Sequence, residues 1–450
     1  MSETQVPSSP RKPKLRWYQY RLRTLLIAVP ILAMGLGWVG VRVKRAREQE
    51  AAVKSLEKLG ALVEYDVGAP ASTNWLRKVL GDAVFDHVSG IAITGDRAVN
   101  VELSYLESPF SPGITFNGPR VNDDDLTPLR NLGYLKRLYL GGTRVTDAGL
   151  RGLAQLERLE SLTLVATEIS DEGLVSLQGL QGIEKLDLSY TRVGDGGLVH
   201  LATLANLRSL NLCGTQVAGP GLPELAGLKS LRELKLDGSQ LNDAGLNDLA
   251  VLRQLQNVDL SCTPITHEGI RHLKDLAGLR ELSLAYTLVS DLRSLQPLVN
   301  LRQLDLAGTP VTDAGLAHLL GLPNLEKLRL TQTHVSDDGL VHLAKLATLR
   351  HLNLNETQVT NEGLAHLEKL TSLQQLGLGK TRITEAGLRH LSGMANLFWL
   401  DLSSTRVTDA GLSHLTGLTK LRMLRLDRSA VTPNGVLKLR RRLPNVSVQL

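Results

Sequence analysis

The stretch L-Y-L-G-G-T-R-V-T-D-A-G-L, Leu138–Leu150, followed by Leu153 and Leu156, is the unit from which most of this 450-residue chain can be read. Its L-x-L opening recurs at Leu162/Leu164, Leu186/Leu188, Leu210/Leu212, Leu234/Leu236, Val258/Leu260 and Leu282/Leu284, then at Leu304/Leu306, Leu328/Leu330, Leu352/Leu354, Leu376/Leu378, Leu400/Leu402 and Leu424/Leu426. Each pair lies 24 positions after the last, except that Leu306 follows Leu284 by 22. A fixed period in this range marks a solenoid, in which each coil is one small unit stacked on the next. In the coil that begins at Leu186, the apolar residues Leu186, Leu188, Val193, Leu198, Leu201, Leu204 and Leu207 first alternate and then step by three, so they converge on one interior. Burying seven side chains does not offset the ordering of a whole coil of backbone, so a coil is stable only between neighbours. Strand alternation sends Arg137 and Tyr139 to the side opposite Leu138 and Leu140, and such positions build a solvent-facing concave surface. The expected fold class is α/β: a curved parallel sheet inside, helices outside, and one transmembrane helix at the N-terminus.

Three further ladders run through the repeat. Threonines (Thr143, Thr167, Thr191, Thr215, Thr263, Thr287, Thr309, Thr333, Thr357, Thr381, Thr405, with Ser239 and Ser429 substituting) stand where the strand leaves the sheet and backbone groups need partners. Aspartates of T-D-x-G-L, such as Asp147, Asp171, Asp195, Asp243, Asp313, Asp337 and Asp409, open the helical stretch, where a carboxylate caps free amides. They repeat one role, and nothing sets neighbouring carboxyls apart as acid and base. The glycines that follow let each helix start close to its neighbour. His200, His272, His318, His342, His366, His390 and His414 form the third ladder, on the convex side, where helices ~8–10 Å apart strain any shared zinc site and a seam-covering role is simpler.

The N-terminus reads differently. Arg11, Lys12, Lys14, Arg16, Arg21 and Arg23 precede an uncharged stretch, Thr24–Val41, and Arg42, Lys44, Arg45 and Arg47 follow it. Eighteen helical residues reach ~27 Å, just short of the ~30 Å hydrocarbon core, and flanking arginines can close the gap by snorkelling. We therefore divide the chain into a basic segment (1–23), a transmembrane helix (24–41), a helical stalk (42–60), an N-terminal cap (61–110) and the repeat domain (111–450). Within the cap the sequence reads as a strand at Leu62–Tyr65, a helix at Trp75–Leu80 and a degenerate coil at Val88/Ile91/Ile93; another degenerate coil opens the repeat domain at Ile114/Phe116. Val446–Leu450 completes a final strand. A cleavable signal peptide, with Ala33-Met34-Gly35 as a weak processing site, is the rival reading and would leave a secreted recognition protein. Residues 1–60 hold 12 Lys and Arg against 4 Asp and Glu, so the net charge of +6 divides into +8 there and −2 on the remainder. A basic nucleic-acid face is not supported. Both flanks are basic, but the upstream one lacks acids near the span while Glu48 and Glu50 follow it, an asymmetry that leans toward repeats on the extracytoplasmic side. Cys213 and Cys262, two coils apart, lie ~10 Å from each other by strand spacing, beyond the ~7 Å limit for a disulfide.

The L-x-x-L-x-L and T-x-V-T-D-x-G-L segments resemble leucine-rich repeat proteins of the ribonuclease-inhibitor-like type. The run W-Y-Q-Y-R-L-R-T-L-L-I at 17–27, with the apolar stretch and A-V-K-S-L-E-K-L-G-A after it, is similar to membrane-anchored leucine-rich repeat proteins of planctomycete bacteria. Such repeats also occur in F-box substrate receptors, but the segment upstream here has no room for that helical domain. The shortened coil at Val289–Leu295, which lacks the G-L step, looks more like internalin repeats. The resemblance implies binding of a protein through the concave face and carries no enzyme motif or cofactor.

No phosphate loop, H-E-x-x-H, G-x-S-x-G or C-x-x-C pattern is present. Trp399, Met423, Arg425, Asp401, His351 and Arg329 occupy concave strand positions in the C-terminal half, and exposed Trp and Arg are enriched where binding energy concentrates. Tyr139, Tyr190 and Tyr286 mark a second patch. The expected function is a membrane-tethered scaffold that binds a protein, with membrane contact through 24–41 and no metal, cofactor or nucleic acid. An enzyme built on concave Asp187, Asp259 or Asp305 is the weaker alternative.

Overall fold

A computed structural model of the protein describes residues 17–59, 61–66, 87–93 and 121–450. The helix expected over 75–80 and the degenerate strand at 114–116 lie outside the described residues, as do most side chains of 24–41. Helix α1, Trp17–Glu57, runs without interruption. Among the described residues no helix is long and apolar enough to cross a membrane. The second half of the expected stalk is docked on the solenoid: Ala52, Val53 and Leu56 are buried in the core that also holds Leu126 and Leu129. Val53 and Leu56 are one turn apart, so their stripe packs on the first described coil, at Asp123–Asn131.

Strands β1 (Ala61–Asp66) and β2 (His87–Ile93) pair antiparallel, with a register shift between Glu64 and Tyr65. From β2 onward the sheet is parallel. Fourteen three-residue strands, β3 (Arg137–Tyr139) through β16 (Ser447–Gln449), follow in sequence order to complete a sixteen-stranded sheet. Each central leucine pairs with the next, as Leu138 with Leu162 and Leu328 with Leu352, and the line ends at Leu424 with Val448. The shortened coil keeps this register, Leu282 against Leu304, so its missing residues are taken from the convex side.

The return paths are short helical turns in most of the described coils: Asp147–Leu150 is four residues of α-helix followed by a 3-10 turn, and Asp337–Leu343 is seven. The last coil carries a longer one, Pro433–Arg442, of ten residues.

The threonine ladder is structural. Thr143, Thr191 and Thr263 are buried and donate their hydroxyls to the Leu140, Leu188 and Leu260 carbonyls at 2.7, 2.6 and 2.5 Å. Ser239 makes the same bond to Leu236 at 2.6 Å. The aspartate ladder works differently from the expected cap. Thr146, Asn242, Thr312 and Ser336 are the N-cap residues of their own helical turns, and the aspartate after each cap reaches the next coil. Asp337 Oδ1 accepts from the Thr360 N–H at 2.8 Å and Oδ2 from its hydroxyl at 2.6 Å. Asp147 holds Ser170, Asp243 holds Thr266, Asp313 holds Ser336 and Asp409 holds Thr432 in the same two-point clasp. The adjacent glycine is what makes the clasp possible, because a Cβ on Gly173, Gly269 or Gly363 would overlap the carboxylate arriving from Asp147, Asp243 or Asp337.

At Gly194 and Ala218, which carry no hydroxyl, Asp171 and Asp195 accept from backbone N–H groups alone, and four further joints among the described residues have no such acceptor. Gly219 replaces the aspartate facing Asn242, which instead caps its own helix through Ala244 and Gly245. His267 replaces it before Ser290, with Nδ1 and Oγ 3.4 Å apart. Asp291, in the shortened coil, accepts from the Arg293 N–H at 2.8 Å, and no side-chain bond joins it to Thr312 among the described residues. Glu385, one methylene longer, makes none to Thr408.

Candidate functional site

The concave face is built from the first and third positions of the three-residue strands, which flank the buried central leucine. Its third-position column is not free to bind in every coil. Asp187, Asp259 and Asp305 each accept from the N–H two residues on, at Ser189, Ser261 and Ala307, at 2.9–3.0 Å. Asn211 and Asn353 do the same to Cys213 and Asn355. These short side chains turn the strand off the sheet, a structural task that the enzyme alternative assigned to chemistry.

In the C-terminal half, Trp399 is half-buried on its strand, with Gln375 on one side and Met423 on the other in register. Met423 is exposed, and Arg425 is half-exposed. Arg329 is exposed and pairs with Asp305, Nη1 to Oδ2 at 3.0 Å; His351 is half-buried one strand farther along. Asp401 departs from the expected solvent-facing position: it is 1% exposed. Its Oδ1 accepts from the Ser403 N–H at 2.9 Å and hydroxyl at 2.6 Å, while Oδ2 accepts from Asn355 Nδ2 at 3.2 Å and faces Arg425 Nη1 at 3.5 Å. Asn355 reaches it across the intervening strand because Gly377 and Gly379 lie between. A Cβ on Gly377 would meet Asn353 Oδ1 at 2.6 Å and Asn355 Oδ1 at 2.8 Å, and one on Gly379 would meet Ser403 Oγ at 2.7 Å. A buried carboxylate needs such donors. Asp401 therefore orients Arg425 beside Trp399 and Met423 and is shielded from a partner.

The three tyrosines of the second patch do not share one position. Tyr139 is on its strand, half-buried, and burial followed by the charge of Asp187 raises its phenol above the usual range. Tyr190 and Tyr286 sit in turns, at φ 55° and 57°, a left-handed backbone that bulky residues rarely adopt. Each ring lies against the glycine one coil on, Gly214 or Gly308, where a Cβ would meet ring carbons. Both rings remain prominent, Tyr190 at 61% and Tyr286 at 49% exposure. The Tyr-then-Gly alternation in this column was readable in the sequence once the turn column was known.

Beside Tyr190, the Cys213 thiol donates to Asp237 Oδ2 at 2.8 Å, and burial first, then that bond, pushes it up to about 12. The Tyr190 phenol, hydrogen-bonded to Cys213, is also pushed up to about 12. Both groups hold their protons at neutral pH, which argues against a nucleophile here. Cys213 and Cys262 are free thiols. On the convex side, His200 pairs with Gln178 and His390 with Glu368, each across a coil seam. Among the described residues no group of three or more His, Cys, Asp or Glu is placed to hold a metal ion.

Comparison with known proteins agrees with this geometry. Residues 253–311 match a leucine-rich repeat family profile, and residues 183–202, 321–344 and 345–367 match a second one. No curated protein matches the chain. Among solved structures it is similar to an internalin from Listeria monocytogenes, at 21% identity and a TM-score of 0.54, covering 78% of this chain and 92% of that one. It is also similar to a leucine-rich repeat protein from Leptospira interrogans, at 21% identity and a TM-score of 0.52, covering 72% and 92%. At this identity the likeness shows the fold alone. The matched profiles, the in-register leucine strands and the buried threonine ladder together support a leucine-rich repeat fold for the described coils.

Proposed function

We propose that the protein is a membrane-tethered scaffold that binds a protein partner through the C-terminal half of its concave face. The carrying observation is the in-register adjacency of Trp399 and Met423, with Arg425 oriented from below by Asp401. An aromatic ring, a flexible thioether and a guanidinium on one rigid sheet are the components from which binding hot spots are made. Arg329 and His351 extend the surface toward the centre of the solenoid. Tyr139, Tyr190 and Tyr286 form a separate, N-terminal contact patch.

The tether rests on the sequence: the uncharged Thr24–Val41 stretch, its basic flanks and its likeness to planctomycete membrane-anchored relatives. With the second half of α1 packed on the first coil, the repeats would be held close to the bilayer, on the extracytoplasmic side. The test is crosslinking and purification of full-length protein from native membranes after alkaline washing. Retention in the washed membranes supports the tether, and release of intact protein removes it. Trp399→Ala should weaken the recovered partner's affinity by about thirtyfold, equivalent to ~2 kcal/mol. Wild-type affinity in folded Trp399→Ala and Met423→Ala variants would move the site elsewhere.

A further inference from the structure

The 22-residue step leaves a second feature, on the opposite face from the proposed partner site. Most coils carry G-L-x-x-L on the return path; the Leu282 coil reads Ser290-Asp291-Leu292-Arg293-Ser294-Leu295 and omits one helical step. Its return path is a single 3-10 turn, Arg293–Leu295, beside the longer Arg271–Asp275 turn of the preceding coil. The unequal walls enclose a notch of about 320 Å³. Arg271, His272 and Lys274 line it from one coil, and Arg293, Ser294 and Gln296 from the other. No carboxylate lines it.

Of the nearby acids, Glu268 accepts from the lining residue Arg271 at 3.0 Å and offsets its charge, so the notch's positive charge rests on Lys274 and Arg293. Asp291 is bound to the Arg293 backbone N–H and faces His318 Nε2 at 3.9 Å. Elsewhere cations and acids pair across coils, as Arg192 with Glu168, Arg208 with Glu184 and Arg302 with Glu326. The Lys274 and Arg293 side chains, both exposed, form no such pair among the described residues.

We propose that this notch binds a phosphate-type oxyanion. The Arg293 guanidinium offers a planar fork of donors, Lys274 a point charge from the facing wall, and Ser294 a neutral donor beside Arg293; together they supply the charge and hydrogen bonds that a phosphoryl group accepts. A space of this volume takes a phosphate carried on a larger body rather than a bare ion. A free phosphate ester and a phospholipid headgroup share that chemistry.

Calorimetric titration of the full-length protein in neutral detergent tests this with two probes, inorganic pyrophosphate and the short-chain lipid dihexanoylphosphatidylglycerol. Saturable binding is expected for at least one. It should weaken about tenfold or more in Lys274→Ala/Arg293→Ala and fall as salt is added. Preference for pyrophosphate points to a free ester, and preference for the lipid to a headgroup. Ser294→Trp, which fills the notch without changing charge, should abolish binding, with folding of each variant checked by circular dichroism. Lys345→Ala/Lys369→Ala removes the same charge from coils without a notch and should leave binding unchanged. Absence of saturable binding to either probe, retained binding in folded Ser294→Trp, or an equal loss in the two double variants would overturn the assignment.

Discussion

The coils from Leu304 to Leu376 and those from Val258 to Leu304 share the same strand register and the same buried leucines, yet they are joined differently. In the first run Asp313, Asp337 and Asn361 each grip the N-cap residue of the following coil. In the second, His267 stands 3.4 Å from Ser290 and Asp291 serves its own turn. The difference separates two layers of stability. The apolar core fixes the stacking, because Leu282 and Leu304 align without any clasp. The polar clasp then ties the convex rims, and where it is absent the rim is free to shorten and open a notch.

The largest expected effect tests whether glycine is required by the clasp or by the backbone. Gly363→Ala puts a Cβ into the Asp337 carboxylate and 2.9 Å from Leu340 Cδ1, and should cost about 3 kcal/mol or more in urea unfolding. The matching Gly315→Ala meets Val311 Cγ1 at 3.3 Å and the Ser290 carbonyl at 3.4 Å, with no carboxylate in the way. It should be neutral or stabilise by up to ~1 kcal/mol, since alanine is the better helix former. Equal losses at the two sites would mean that the clasp is not what demands glycine.

Removing the acid gives a smaller contrast. Asp337→Ala strips Thr360 of both bonds to a charged acceptor and should cost about 2 kcal/mol, whereas Asp291→Ala loses one local bond and should cost about 1 kcal/mol or less. Amide exchange should localise the first loss to the joint between the Leu328 and Leu352 coils. Uniform loss of protection along the solenoid would show that the joints are not independent.

The smallest effect is one of pH. The Thr432 hydroxyl, then its N–H, hold the Asp409 carboxyl below its ordinary value of 3.8. A depressed carboxyl stabilises the fold above that ordinary value and loses its contribution as pH falls through the lowered one. Exchange protection at Thr432 should therefore persist to about pH 4 and decline below it, with the decline absent in Asp409→Asn. Unaltered protection at more acid pH would show that the charge adds nothing to this exposed clasp.

The repeat made the sheet legible: the strand column, the buried leucines and the threonine bonds follow from alternation and spacing within one coil. The clasp was misplaced because its two halves lie 23 residues apart, and a sequence read coil by coil assigns Asp337 to its own helix. Asp401 was misread for a similar reason. Alternation places it outside, but the donors that bury it come from Asn355, two strands away, through space vacated by Gly377 and Gly379. Tyr190 and Tyr286 were grouped with Tyr139 as one patch, although their left-handed backbone belongs to the turn column.

The clasp also bears on how such a chain can grow. Its acid projects from one end of the unit and its glycine vacancy opens at the other, so a coil such as Asp337–Thr360 fits a second copy of itself. Duplicating a clasped coil creates joints that already match, whereas changing either half alone creates a mismatch on one side. Array length can then vary by gain or loss of whole units far more readily than the unit can drift, and coils without the clasp, such as that of Leu282, are the ones released to diverge.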